Sequence, residues 1–103
     1  MRQVFFKKGV YLSGLKEEML DCIDKVAKLF EREGLSLVLT SARNPGHSKH
    51  SHHYKGLAID LRVWDIEDVD AMCRKIRGVL NEDYEVFDEV DHIHIEYDPE
   101  HGA

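Results

Sequence analysis

Apolar positions recur along this chain with two different periods, and the changes of period mark its elements. From Leu15 to Glu33 the apolar residues are Leu15, Met19, Leu20, Ile23, Val26, Ala27 and Phe30. This is the three-and-four spacing of one face of an amphipathic helix. Ser13 is placed to cap its start and Gly34 to follow its end. The next run, "LSLVLTSA", is short, apolar and β-branched, and predicts a buried strand. The stretch that follows, as far as Lys55, has Pro45, Gly46 and Gly56 as punctuation and predicts a loop. "GLAIDLRV" then alternates, with Leu57, Ile59, Leu61 and Val63 on one face and Ala58, Asp60 and Arg62 on the other. Asp65 is the expected cap of a second helix, whose stripe is Ile66, Val69, Met72, Cys73, Ile76, Val79 and Leu80. Two short strands, "YEVF" and "HIHIEY", close the chain. In the last, Ile93, Ile95 and Tyr97 face one way and His92, His94 and Glu96 the other.

These elements predict one α+β domain over residues 1 to 103, a small antiparallel sheet with two helices packed on its apolar face. Asp60, His92 and His94 would then all project from the opposite face. Composition narrows the class without changing that picture. A 43% hydrophobic and 33% charged chain is an ordinary globular one. No stretch approaches the roughly 20 apolar residues of a membrane-spanning helix, so no membrane partner is expected. A net charge of −6 with scattered basic residues argues against nucleic acid. Cys22 and Cys73 stand beside apolar residues and form no C-x-x-C pair. Both are expected to be buried free thiols, which suits a reducing compartment. The apolar patch of "MRQVFFKKGVYLSG" is broken by Lys7 and Lys8, too short for a signal peptide, so cytoplasmic synthesis without export is expected.

The candidate chemistry lies in "HSKHSHHYKGLAIDL", where four of the seven histidines crowd into seven residues. A catalytic zinc site takes three nitrogen or oxygen ligands and leaves the fourth position to water. One loop histidine, Asp60 and a histidine of the last strand would meet that count. Ser51, His53, Gly56, Ala58 and Asp60 spell S-x-H-x-x-G-x-A-x-D, and His92-Ile93-His94 supplies a later H-x-H. Together these resemble the zinc peptidases of the D-alanyl-D-alanine carboxypeptidase family. That family includes vancomycin-resistance dipeptidases and phage L-alanyl-D-glutamate endolysins, and shares its fold with the signalling domain of hedgehog. The resemblance spans about Leu37 to Tyr97.

The resemblance implies one zinc ion per chain, held by His53, Asp60 and His94. Gly56 would let the backbone turn tightly from loop into strand. Ser51 would lie beside the substrate, and Arg43 in "TSARNPG" would hold a substrate carboxylate or carbonyl. Ala42 and Asn44 depart from the family's pattern around that arginine. Asp91, three residues before His94, would be the general base, taking a proton from zinc-bound water as it attacks a peptide carbonyl. Asp88 and Glu89 are fallback candidates for that role. His92 would be a substrate or transition-state group rather than a fourth ligand, since a fourth protein ligand would close the site. The activity implied is cleavage of peptidoglycan stem peptides by a monomer, as a carboxypeptidase or an endopeptidase, reaching the cell wall after release at phage or prophage lysis.

Other features have plainer readings. His47, His50 and His52 are expected at the cleft rim, and Tyr54 and Trp64 either flank a groove or simply pack. "DIEDVD" suits a helix N-terminus and lacks the glycine and final glutamate of a calcium-binding EF-hand loop. Two rival functions remain open: a non-catalytic zinc-binding interaction module on the same fold, and a nickel or zinc carrier using the histidine-rich loop.

Overall fold

Among the described residues the elements run β1 (Val4–Phe6), α1 (Glu17–Arg32), β2 (Leu37–Ser41), β3 (Ala58–Arg62), α2 (Val69–Val79), β4 (Tyr84–Asp88) and β5 (His92–Tyr97). The computed structural model describes residues 4–42, 52–53 and 55–99 of the chain. The strands form one sheet in the order β1-β2-β3-β5-β4. The α+β class stands as expected, but the sheet is mixed rather than antiparallel. β1 pairs parallel to β2, while β2–β3, β3–β5 and β4–β5 are antiparallel. β1 has only three residues and leaves Phe5 and Phe6 exposed, so it carries no alternating pattern of its own. Pairing with a strand some thirty residues away creates it, which local periodicity does not report.

The helices pack on one face of the sheet. Met19, Cys22, Val26 and Phe30 of α1 and Met72 and Ile76 of α2 meet Leu37, Leu39, Ile59, Leu61, Ile93 and Ile95, all buried. Cys22 and Cys73 are free and buried, as the apolar stripes require. Neither helix is long and apolar enough to cross a membrane.

Both helix starts lie later than their expected caps. Ser13 does not cap α1; Lys16 holds the N-cap position and makes no side-chain cap bond. Residues 12–15 are instead spent in a turn, closed by Leu15 N–H on the Leu12 carbonyl, with Gly14 at φ +84°. Asp68, not Asp65, caps α2, its carboxylate accepting from Ala71 N–H at 3.0 Å. Asp65 belongs to the preceding turn, where Ile66 N–H bonds the Val63 carbonyl. Gly34, at φ +73°, does follow α1.

Candidate metal centre

Register delivers two of the three expected donors. Asp60 sits directly opposite His94 across the β3–β5 ladder, with Arg62 opposite His92 and Ala58 opposite Glu96. Residues so paired on one face of a sheet have Cβ atoms about 4.5–5.5 Å apart. A slip of one residue would send Asp60 to the core face, so the buried Ile59 and Leu61 enforce its direction.

The third donor arrives from the loop before β3. Leu57 N–H bonds the His52 carbonyl at 2.8 Å and Gly56 N–H bonds the His53 carbonyl at 3.2 Å, closing a turn under His53. Gly56 adopts φ +75°, and a Cβ there would lie 2.2 Å from the Gly14 carbonyl oxygen. Its own carbonyl accepts from Lys16 N–H at 2.9 Å. The glycine therefore serves the expected turn and also lets the loop press against the chain entering α1.

His53 is buried, and its Nδ1 lies 2.8 Å from the Ala42 carbonyl oxygen. A carbonyl only accepts, so this bond places the proton on Nδ1. Nε2 faces the Asp60 carboxylate at 3.3 Å. His94 is held the other way round. Its Nε2 is 2.8 Å from Glu96 Oε1, and its Nδ1 is 2.8 Å from Asp60 Oδ1. One nitrogen of each ring is thus secured from behind while the other is aimed at Asp60, the arrangement that orients histidine ligands in metal sites. One ligand atom from each of His53, Asp60 and His94 lies within 4.8 Å of the others. Two ligands about 2.0–2.1 Å from a tetrahedral zinc stand about 3.3–3.4 Å apart, the separation of His53 from Asp60. The donors are of the types that zinc takes, although His94 Nδ1 and Asp60 Oδ1 stand at hydrogen-bond distance from each other.

Electrostatics agree with that geometry. Burial alone would raise the Asp60 carboxyl, but hydrogen bonds and charge from His53 and His94 outweigh it and hold the group well below the usual range. Burial would lower His94, yet its bonds to Asp60 and Glu96 raise it. In the metal-free protein the position between Asp60 and His94 therefore favours a proton, and a bound cation would displace that proton.

Two participants escaped the sequence reading. Glu96 was placed on the polar face but given no task, because a carboxylate on a polar face is usually just solvated. Its proximity to His94 Nε2 depends on a ring orientation that spacing does not encode. Phe87 lies opposite His94 in the β4–β5 register, its ring 5.9 Å away. The available signal was an aromatic at a polar-face position of "YEVF".

A cleft of about 780 Å³ includes Asp60 in its lining, together with Val38, Thr40, Trp64, Asp91 and His92. Arg62 stacks on Trp64, 4.4 Å from the ring centre. Asp91 is exposed at the cleft edge and binds His92, its Oδ1 2.6 Å from Nδ1. His92 Nε2 is 3.8 Å from Asp60 Oδ1. Of the fallback acids, Asp88 accepts from Val90 N–H, and Glu89 N–H closes the hairpin on the His92 carbonyl. Val90, between them and Asp91, adopts φ +74°, a strained conformation for a β-branched residue. His52 is half-buried and turned toward Glu96 and Asp98. Arg43, His47, His50, Ser51 and Tyr54 lie outside the described residues.

Compared with family models and with curated proteins, the chain matches none. The role of the site rests on its geometry and on the motif that it carries.

Proposed function

We propose that this protein is a zinc-dependent peptidase acting on peptidoglycan stem peptides, on the fold of the D-alanyl-D-alanine carboxypeptidase family. The observation that carries this reading is the convergence of His53 Nε2, Asp60 and His94 Nδ1, each ring fixed from behind by Ala42 or Glu96. When bound, zinc supplies a Lewis acid for the peptide carbonyl and lowers the pKa of water to about 7. Asp91 is the general base, taking the proton of the attacking water and returning it to the leaving amine. His92 steadies the Asp91 carboxylate by donating from Nδ1, and its Nε2 faces inward toward Asp60 at the substrate side of the site. The adjoining cleft suits an extended peptide: Val38 and Trp64 offer apolar surface, and Arg62 and Lys7 offer cations for stem-peptide carboxylates. Arg43 and Ser51 are assigned to the substrate on the motif alone.

Digestion of purified peptidoglycan by zinc-loaded protein, followed by mass spectrometry of the fragments, tests this reading. Defined peptide products are expected, and they identify the bond. Asp91→Asn should abolish turnover while one zinc stays on His53, Asp60 and His94. Unchanged activity in that variant removes Asp91 as the base. Zinc retention with no product from any peptidoglycan type would instead favour a non-catalytic binding module.

A further inference from the structure

Next to the first donor set, His52, Glu96 and Asp98 form a second one, with ligand atoms within 4.8 Å of one another and all three side chains partly buried. We propose that this group is a second divalent-cation site. His52 Nε2 stands 3.5 Å from Glu96 Oε2 and 3.7 Å from Asp98 Oδ2. These separations exceed the 2.7–3.2 Å of a direct N–H···O bond, about the spacing of ligands that share one ion.

The donors are held in place by backbone bonds. The His52 carbonyl accepts from Leu57 N–H at 2.8 Å, Tyr97 N–H bonds the Leu57 carbonyl at 2.9 Å, and Asp98 N–H bonds the Asp83 carbonyl at 2.7 Å. His52 is thereby fixed to the start of β3 and the two acids to the end of β5. Glu96 divides its carboxylate between the two groups, with Oε1 on His94 Nε2 and Oε2 toward His52. One imidazole with two carboxylates suits a borderline divalent ion such as zinc rather than calcium, which prefers six to eight oxygens. This site stands apart from the peptidase reading, because it requires neither Asp91 nor the cleft.

Metal-free protein is dialysed against buffered free zinc, and bound zinc per chain is measured by mass spectrometry of the elements. Wild type should bind two ions. Asp98→Asn, a near-isosteric change, and His52→Ala should each lose one of them, with circular dichroism unchanged. His53→Ala should also lose one, leaving the second site filled. His47→Ala with His50→Ala should keep both. One ion in wild type that His53→Ala loses and Asp98→Asn keeps overturns the proposal and leaves His52, Glu96 and Asp98 as a polar cluster. Two ions in Asp98→Asn, or a folded Asp98→Asn protein that binds none, overturns it as well.

Discussion

Alanine at Gly56 should destabilise the protein by about 3 kcal/mol, whereas alanine at Gly34 should cost only about 1 kcal/mol. The two glycines have nearly the same backbone, φ +75° and +73°, so the penalty for a Cβ in the left-handed region is common to both at about 1 kcal/mol. They differ in surroundings. A Cβ on Gly34 meets nothing within 4 Å, while one on Gly56 falls 2.2 Å from the Gly14 carbonyl oxygen and 3.3 Å from Leu15 Cα. Both neighbours are backbone and cannot rotate away. Overpacking of this kind costs about 1–3 kcal/mol, and parting the strands of chain also weakens the Lys16 N–H bond to Gly56, worth about 1 kcal/mol. Urea unfolding of metal-free wild type and both variants, with a common slope, measures the difference directly. A gap under about 1 kcal/mol between the variants would refute the close-contact argument. Gly56→Ala should also weaken zinc binding, since the turn that it distorts carries His53.

Three further outcomes follow from the site and the core. Glu96→Gln, compared in an Asp98→Asn background, should weaken zinc binding at the first donor set by about 10–100-fold, because the His94 ring loses the charged acceptor behind it; competition with a chromophoric chelator reads this out, and an unchanged affinity would contradict the role. Alkaline pH should destabilise the protein, because burial, helped by the charge of Asp21, pushes the Cys22 thiol up to about 12, and burial does the same to the Tyr84 phenol. A raised folded-state pKa means that this stability is complete below the unfolded thiol's value of about 8.5 and drains away as pH climbs toward 12, by up to about 1.4 kcal/mol per pH unit. Urea midpoints from pH 7 to 10 should therefore fall more steeply in wild type than in Cys22→Ala, and parallel slopes would contradict it. Val90→Gly should stabilise the fold by about 1 kcal/mol, since it removes left-handed strain from an exposed side chain that packs on little; a loss of stability would show the strain to be absent.

The helices and four of the strands were legible because each has its own hydrophobic period. Their ends were not, because several residues compete for each cap: Ser13 yielded to a turn that meets Gly56, and Asp65 to Asp68. β1 could not be found locally at all, as its order comes from Leu37–Leu39 across the sheet. At the site, alternation correctly put Asp60, His92 and His94 on one face, and the motif singled out His53. Ring orientation was the missing information. Only with the Ala42 and Glu96 bonds in view does it emerge which nitrogen of each histidine faces Asp60, and that His52 belongs to a separate group.

The pairing of Asp60 with His94 has a consequence for how such a site can change over generations. Two donors are set by strand register and could move only if the whole ladder slipped. The third comes from the turn before β3, outside the ladder, so no strand register fixes which side chain stands there. Variation can therefore exchange that one donor and retune metal preference while the sheet keeps the other two. A softer ligand at position 53 would lean toward thiophilic ions, and a carboxylate there toward harder ones. An ion held here would keep its address through the sheet, while the residue at position 53 would set its identity.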